Sequence, residues 1–441
     1  MRMNNIVVII IDALRPKNLS LFGYEKETDK FIKEVTKEGV LFRQFFSVSN
    51  STFPTITSLF TGNYPQTHGI LHQAPYASSE EYDKFLGEEQ QKFWLPSFLK
   101  EKGYYTIGID WIGLWFKEGF DYYGEKQEAG YKKFTKNPFI KKALLNLPSW
   151  AYKVGKDMVK EKNEALFPSA EQMTDLAIEK IKVAKNLNLP FFLFMHFEDT
   201  HFPYPNVPNP EPSGEKDIEE ILGKIPTESQ KEYFRKRVID IGLESVKDMK
   251  NKYDLAILGI DLQIGRIKNF LEENNEWDDT MFIIFSDHGD CLDEHGIYFS
   301  HAGLFDETVH VPLIMKFPKS EFSGKEIDEF AQTLDIVPTI LELGEYESER
   351  IFDGQSVLPL INGESFLREM VFLLDGLAPD IKAVRTKTRK LILAPENKCN
   401  LCKAEHHQKA EEYDLKNDPN ELKNIYSGSS NLLKFISEGS K

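Results

Sequence analysis

The feature that most constrains the fold is an apolar run of six residues, Ile6–Ile11, which ends at Asp12. Every residue of this run is β-branched and none is polar, a pattern typical of a strand buried on both faces of a parallel sheet. Similar apolar runs occur at 191–196 and 281–285, and polar residues follow them as well. The sequence therefore predicts several inner strands, each with polar side chains at or after its carboxyl end.

Helical segments are predicted between these strands, at Lys30–Glu38, Ala170–Lys185 and Tyr253–Glu273. In the last segment apolar residues recur at spacings of three and four, as on the buried face of a helix. Strands that alternate with helices indicate an α/β fold with a doubly wound, mostly parallel sheet. Because ligands of such sheets bind outside the carboxyl ends of the strands, we expect the polar clusters to meet on one rim.

The chain is predicted to divide into a catalytic α/β domain at 1–362 and a small C-terminal α+β subdomain at 363–441. Short strand patterns before a terminal helix indicate the second unit. These strand patterns are Met370–Leu374, Ala383–Arg385 and Lys390–Leu393. Two charged segments with scattered prolines, at about 125–170 and at Asn206–Lys252, are interpreted as insertions around the site.

The formal net charge is −16, from 54 basic and 70 acidic residues. Such a charge repels nucleic acid and anionic lipid, so we expect no nucleic acid duplex as a partner. A small anionic substrate would need a locally positive site, which a bound metal ion provides. The three cysteines indicate a reducing compartment, and the opening apolar run is too short for a membrane span or a signal peptide. We therefore expect a cytoplasmic protein without membrane contact.

A metal site is the first candidate on the predicted rim. Asp287 and His288 follow a predicted buried strand, and Gly289 permits a tight turn after them. A carboxylate and an imidazole together suit Zn²⁺ or Mn²⁺, and Asp12 would be a third ligand of the same ion. The alternative is that Asp12 and Asp287 are helix caps and His288 is incidental.

Thr52 is the candidate nucleophile and also a candidate metal ligand. It follows the polar run Ser49–Ser51 and precedes a predicted helix at Thr55–Phe60. Free backbone N–H groups at a helix N-terminus can hold an incoming anion. A hydroxyl that binds a metal ion there loses its proton near neutral pH and becomes a competent nucleophile. The alternative is an ordinary N-cap threonine.

Two further histidines, His201 and His301, are expected on the same rim. As a pair they could stabilise charge on the transferring group, which makes them candidate catalytic residues. They could instead bind a second metal ion, for which Asp199 and His301 are the candidate ligands. For His201 we favour direct contact with the substrate.

Cys399 and Cys402 lie close to His406 and His407, with the spacing of a small zinc knuckle. Two adjacent histidines, however, rarely bind one ion at good geometry. We therefore interpret this segment as a solvated loop with incidental thiols and surface histidines.

Taken in order, these motifs resemble the sulfatase branch of the alkaline phosphatase superfamily over nearly the whole chain. The segments that carry the resemblance are Ile11–Pro16, Thr52–Pro54, Leu59–Gly69, Ser286–Asp290, Glu294–Gly296, Val311–Ile314, Glu412–Leu415 and Asp418–Leu422. The resemblance implies the fold of that family, at least one bound divalent metal ion and hydrolysis of a phosphate or sulfate ester.

The chain departs from that family's pattern at the nucleophile. Sulfatases resemble one another in a Cys or Ser at this position and an Arg four residues later, which direct conversion to formylglycine. Here Thr52 and Ile56 occupy these positions, so a formylglycine is not expected. His288 stands where sulfatases typically have Asn, and a nitrogen ligand favours Zn²⁺ or Mn²⁺ over Ca²⁺. The family's Lys-Trp-His run is also missing, because 108–112 reads Gly-Ile-Asp-Trp-Ile.

A Thr nucleophile followed by Phe and Pro is similar to nucleotide pyrophosphatases and phosphodiesterases, which use two zinc ions. We therefore expect a metal-dependent hydrolase of phosphodiesters or phosphomonoesters that acts through a covalent Thr52 intermediate. In the two-zinc enzymes an Asp and a His four residues later bind the second ion, whereas Asp199 and His201 are two apart. The alternatives are a sulfatase that acts without formylglycine, a phosphoethanolamine-type transferase and a non-catalytic binding protein.

Overall fold

A computed structural model describes residues 4–74, 76, 81, 85, 93–124, 168–225, 227–238, 241–364, 368–395 and 398–438. Within these residues the strands are β1 Asn5–Ile11, β2 Val40–Phe46, β3 Tyr105–Ile109, β4 Tyr122–Tyr123, β5 Phe191–Phe197, β6 Thr280–Phe285, β7 Leu313–Lys316, β8 Lys325–Gln332, β9 Met370–Leu374, β10 Lys382–Thr386, β11 Arg389–Leu393 and β12 Ala410–Asp414.

The α-helices of the described residues are α1 Lys30–Lys37, α2 Thr52–Thr61, α3 Pro65–His68, α4 Leu95–Glu101, α5 Ala170–Asn186, α6 Ile218–Lys224, α7 Glu228–Val238, α8 Val246–Glu273, α9 Asp306–Val309, α10 Ile336–Leu343, α11 Leu358–Ile361 and α12 Leu433–Glu438. Among them, none combines the length and the apolar composition needed to span a bilayer.

The large sheet has eight strands in the order β4-β3-β5-β1-β6-β7-β2-β8. β1 lies between β5 and β6 and pairs in parallel with both. β7 pairs antiparallel with β6 and with β2, so it runs against the other strands. The predicted doubly wound, mostly parallel sheet is therefore confirmed, and its parallel strands end on one common edge.

Both faces of the large sheet are buried, as the apolar run of β1 predicts. Val7, Ile9 and Ile11 pack on one side with residues of α5 and α8. Side chains alternate along a strand, so the intervening residues of β1 pack on the other side with α2, α4 and α10. Burial of both faces explains why residues 6–11 of this strand are all apolar.

The small subdomain contains an antiparallel sheet in the order β12-β11-β10-β9. One face packs against the large domain through residues that include Phe46 and Phe305, and α12 covers the other face. Lys390, which is fully buried in β11, also forms ion pairs with Asp306 and Glu421. The predicted α+β subdomain is confirmed, while the boundary between residues 362 and 363 stays a prediction.

The segments predicted as insertions have different outcomes. Most of the 125–170 segment lies outside the described residues, and Ala170 begins α5. The Asn206–Lys252 segment contains α6, α7 and the first turns of α8, so it is not an irregular insertion throughout. α8 begins at Val246, seven residues before the predicted start, because the Ser245 hydroxyl accepts a hydrogen bond from the Asp248 N–H and caps the helix.

The interpretation of the cysteine segment as a solvated loop is wrong. Cys399 and Cys402 are buried, at 4% and 6% exposure, and both pack in the core of the small subdomain. His407 is also buried, because its ring lies against Phe305. His406 is half-buried.

Candidate active site

The site begins where β1 and β6 end side by side. Asp12 directly follows β1, and Ser286, Asp287 and His288 directly follow β6. The ligand atoms of Asp12, Asp287 and His288 all lie within 4.8 Å of one another. Because the two strands are parallel neighbours, residues from distant parts of the sequence meet at one point of the sheet edge.

The donors of this group fit a divalent cation. Oδ1 of Asp287 accepts hydrogen bonds from the backbone N–H groups of Ala13 and His288, at 3.4 and 3.0 Å. These bonds turn Oδ2 inward, where it is buried without a hydrogen-bond partner, as is Oδ1 of Asp12. A buried carboxylate oxygen without a partner is costly unless a cation or a proton offsets its charge. Together with the imidazole of His288, these oxygens are donors suited to a metal ion.

Thr52 is the first residue of α2 and faces this group. Its Oγ1 lies 3.4 Å from Nε2 of His288, and the residue is 5% exposed. Asn50, two residues earlier, fixes the approach of the chain to the helix. Its side chain donates to the Gly303 carbonyl at 3.0 Å and accepts from the Gly376 N–H at 2.8 Å. The hydroxyl is thus held at the N-terminus of a helix and beside the ligands.

Three histidine rings line this part of the site. The rings of His288 and His301 stack with centroids 4.4 Å apart, and His201 lies 6.3 Å from His301. Each ring donates its Nδ1 hydrogen to a backbone carbonyl, those of Gly289, Asn50 and Phe202 respectively. The main chain thereby orients each ring through Nδ1, so that Nε2 accepts in the neutral ring and donates once the ring is protonated.

Asp199 is not part of this group. Its Oδ1 accepts a hydrogen bond from the Ala170 N–H at 3.3 Å, at the first turn of α5. Among the described residues, no group of three or more ligand side chains within 4.8 Å of one another includes Asp199 or His301. The second metal site on these two residues stays a prediction.

A second group of three residues, absent from the predicted site, lies next to Asp12. Asp110 follows β3, His196 lies near the end of β5 and Glu198 follows it, and their ligand atoms lie within 4.8 Å of one another. His196 donates from Nδ1 to Asp110 at 3.2 Å and directs Nε2 toward Asp12 Oδ2 at 3.5 Å. Asp110 directly follows β3, as Asp12 follows β1, but the short strand Tyr105–Ile109 has no continuous apolar run that would have identified it.

Several carboxylates of the two groups share a buried space, and this changes their pKa values. Burial alone would raise the pKa of Asp12, but His201, His196 and His288 hold that pKa well below its ordinary value. Burial and the charge of Asp12 raise the pKa of Asp287. Burial also raises the pKa of Glu198 well above the usual range. The site thus needs positive charge, from protons or from a bound cation.

Arg15 connects the two loops that carry the first group. Its guanidinium binds the Glu294 carboxylate with two hydrogen bonds, of 2.7 and 3.0 Å, and donates to the Asp290 carbonyl at 3.0 Å. Two parallel hydrogen bonds between a guanidinium and a carboxylate fix the relative orientation of both groups. The loop after β1 is thereby held against the loop after β6.

Comparison with known proteins agrees with this architecture. The Sulfatase family model matches residues 4–346, and the model for the C-terminal part of N-sulphoglucosamine sulphohydrolase matches residues 293–436. The N-acetylglucosamine-6-O-sulfatase of Bacteroides thetaiotaomicron is 23% identical over 501 residues, which cover 96% of this chain and 82% of that protein.

Similarity also extends beyond sulfatases. The multifunctional alkaline phosphatase superfamily protein PehA of Trinickia caryophylli is 35% identical over 117 residues, which cover 26% of this chain and 23% of that protein. The phosphonate monoester hydrolase of Agrobacterium radiobacter has the same fold, with a TM-score of 0.64 and 18% identity over 99% of this chain and 94% of that one. Because the Sulfatase model covers most of the chain, this protein belongs to the sulfatase family of ester-bond hydrolases, within the alkaline phosphatase superfamily.

Proposed function

We propose that this protein hydrolyses phosphodiesters or phosphomonoesters through a covalent intermediate on Thr52. The observation that carries this proposal is the position of Thr52 Oγ1, 3.4 Å from His288 Nε2 and at the N-terminus of α2. A threonine cannot become the formylglycine of sulfatases, but an ionised threonine hydroxyl suits attack on phosphorus.

In this proposal Asp12, Asp287 and His288 hold the divalent cation and Thr52 faces it. When bound, the cation supplies positive charge that favours the ionised hydroxyl and offsets charge on the transferring group. Two carboxylates and one imidazole favour Zn²⁺ or Mn²⁺ over Ca²⁺, which prefers oxygen ligands alone.

The reaction has two steps. Thr52 Oγ loses its proton to solvent and attacks phosphorus, so that the Oγ–P bond forms while the bond to the alcohol oxygen breaks and that oxygen takes up a proton. Water then attacks phosphorus, the Oγ–P bond breaks and Thr52 regains its proton. The N-terminal end of the α2 dipole adds favourable partial charge near the same anion, although the Phe53 N–H is bound to Gln73 and Pro54 has no N–H.

We infer that His201 and His301 act on the transferring group. His301 stacks on His288, and His201 lies close enough to Asp12 to lower the pKa of that carboxyl. In the protonated rings the Nε2–H groups can donate to the non-bridging oxygens as charge develops on them, the effect that usually contributes most to such catalysis.

Sulfate ester hydrolysis is the second candidate function. It is supported by the Sulfatase family model and by the similarity to the N-acetylglucosamine-6-O-sulfatase. The comparison of bis-p-nitrophenyl phosphate, p-nitrophenyl phosphate and p-nitrophenyl sulfate, each with Zn²⁺ or Mn²⁺, separates the two. Faster turnover of a phosphate ester supports the first candidate, and faster turnover of the sulfate overturns it.

The nucleophile is tested with Thr52→Ala, for which we expect turnover to fall by at least about 1000-fold because the attacking oxygen is removed. Metal content, measured by mass spectrometry of the protein solution, should stay nearly unchanged. Thr52→Ser keeps a hydroxyl and should retain part of the activity. The matched control is Thr61→Ala, at the far end of α2, which should remain active. Full activity of Thr52→Ala would disprove the role of this residue.

A further inference from the structure

Residues 398–405, between β11 and β12, form a tight turn in which both cysteines are buried. The Cys399 N–H donates to the Ala404 carbonyl, and the Lys403 N–H donates to the Cys399 carbonyl, each at 2.9 Å. Lys403 has a left-handed φ of 61°, which lets the chain reverse. The backbones of Lys398 and Glu405 form an antiparallel β-bridge across the base of the turn. This arrangement brings side chains from both sides of the turn together.

Three strong metal-ligating groups meet inside the turn. The ligand atoms of Cys399, Cys402 and His406 all lie within 4.8 Å of one another, and Cys402 Sγ is 2.9 Å from His406 Nε2. Neither cysteine forms a disulfide. The Leu401 N–H also points at Cys399 Sγ, at 3.3 Å, a contact that stabilises a thiolate.

The structure also separates the roles of the two adjacent histidines. His407 Nδ1 lies 2.6 Å from the Glu411 carboxylate, and its Nε2 accepts the Leu304 N–H at 3.0 Å. Both nitrogens of His407 are therefore used in the core, whereas His406 turns toward the cysteines. His406 can therefore bind an ion without His407, so the adjacency of the two histidines does not prevent a metal site here.

We propose that Cys399, Cys402 and His406 bind one Zn²⁺ ion at a structural site distinct from the group around Asp12. Thiolates and an imidazole are the ligands that Zn²⁺ prefers, with bonds of about 2.3 Å to sulfur and about 2.0 Å to nitrogen. Cys402 Sγ and His406 Nε2, now 2.9 Å apart, would have to separate slightly to bind one ion together. Water would complete the coordination.

The turn that carries Cys399, Cys402 and His406 contacts the segments that position Thr52. The Asn400 N–H donates to the Leu377 carbonyl at 3.2 Å, and the neighbouring Gly376 N–H donates to Asn50 Oδ1 at 2.8 Å. On its other side the loop reaches Leu304 through His407. An ion that closes the loop thus stiffens the support of Asn50, two residues before Thr52. The site itself does not depend on the proposed ester hydrolysis.

The test uses the intact wild-type chain with Co²⁺ in place of its metal ions. A cobalt–thiolate bond gives an intense charge-transfer absorption in the near ultraviolet, which ligands restricted to oxygen and nitrogen do not give. We expect this absorption, and we expect a mercurial thiol reagent to release about one equivalent of zinc per chain. A folded, metal-loaded protein without thiolate absorption would overturn the proposal, as would a mass two hydrogens lower from a Cys399–Cys402 disulfide.

Variants assign the site to these residues. Cys402→Ser and His406→Asn should lose the thiol-releasable zinc, while circular dichroism reports whether each remains folded. The matched control is Glu405→Gln, an exposed position in the same turn, which should keep the zinc. If a folded Cys402→Ser variant retains the same zinc and the same cobalt absorption as the wild type, the ligand assignment is wrong. If a variant does not fold, the cobalt spectrum of the wild type alone decides whether thiolates bind the metal ion.

Discussion

The group around Asp12 and the loop around Cys399 both gather metal-ligating side chains, but they do so by different means. Asp12 and Asp287 lie far apart in the sequence and meet because β1 and β6 are neighbours. Cys399, Cys402 and His406 meet within one turn of the chain. The first group depends on the whole sheet and offers mainly oxygen donors, whereas the second depends on local backbone hydrogen bonds and offers sulfur.

The difference also concerns what supports each group. His196 beside Asp12 is oriented by a carboxylate from another strand, that of Asp110. In the loop, the Cys399 sulfur is instead approached by the backbone N–H of Leu401. Substitution of a side chain can therefore remove support from the first group, while the second keeps its main-chain support. The following experiments exploit this contrast.

The largest expected effect is that of Asp287→Asn. This change removes one of the buried charges that hold the cation, so we expect activity to fall by about 1000-fold or more and the first metal to be lost. The thiol-releasable zinc of the loop should remain, because no residue of the loop is altered. Activity assays and metal analysis of the same sample test both expectations. Asp293→Asn, at an exposed neighbour, is the control. Simultaneous loss of both metals would show that the two groups are not independent.

A smaller effect is expected for Asp110→Asn. The neutral amide accepts the Nδ1 hydrogen of His196 more weakly than the carboxylate does, so the ring beside Asp12 is held less firmly. Loss of such an orienting partner typically lowers metal affinity by about 10-fold to 100-fold. Titration with Mn²⁺ or Zn²⁺ by calorimetry measures this change. Asp175→Asn, an exposed carboxylate paired with Arg266, provides the comparison. Unchanged affinity would exclude His196 from the metal environment.

The smallest effect concerns the ion pair between Arg15 and Glu294. Burial opposes ionisation of Glu294, but Arg15 outweighs it and lowers the pKa of Glu294 from 4.5 to about 2. The ionised carboxylate therefore stabilises the fold above pH 4.5, and this contribution is lost as the pH falls toward 2. The unfolding free energy of the wild type should decrease when the pH falls from 5 to 3. In Glu294→Gln we expect this decrease to be about 1–2 kcal/mol smaller. Urea unfolding at several pH values measures the difference. Glu326→Gln, at an exposed position, should follow the wild type, and an identical pH slope in Glu294→Gln would contradict the assignment.

The inner strands could be predicted from the sequence because burial on both faces leaves a strong signature. β1, β5 and β6 are long apolar runs, and all three are confirmed within one or two residues. β3 was not predicted, since Tyr105–Ile109 is short and contains Thr106 and Gly108. Asp110 was therefore not placed on the rim, although it follows a strand in the same way as Asp12 does.

His196 shows a different limit of sequence reasoning. It lies inside a predicted strand, where its side chain direction depends on the register of pairing. Ile10 pairs with His196 in the sheet, which places the imidazole beside the end of β1. Pairing partners cannot be read from one strand alone. Likewise, the spacing of Cys399 and Cys402 suggested a metal site, but the division of roles between His406 and His407 depends on core contacts with Leu304 and Glu411.

The parallel pairing of β1 with β6 has a consequence for how the chain acquires activity during folding. Asp12 is synthesised early, yet its partners Asp287 and His288 exist only after more than half of the chain has been made, and contacts between such distant residues form slowly. Ester hydrolysis is therefore a late event in refolding, after the centre of the sheet has closed. The Cys399 turn closes over a few residues, which is fast. Zinc uptake by the turn should precede the return of catalysis, and a partly folded chain could hold zinc while it is still inactive.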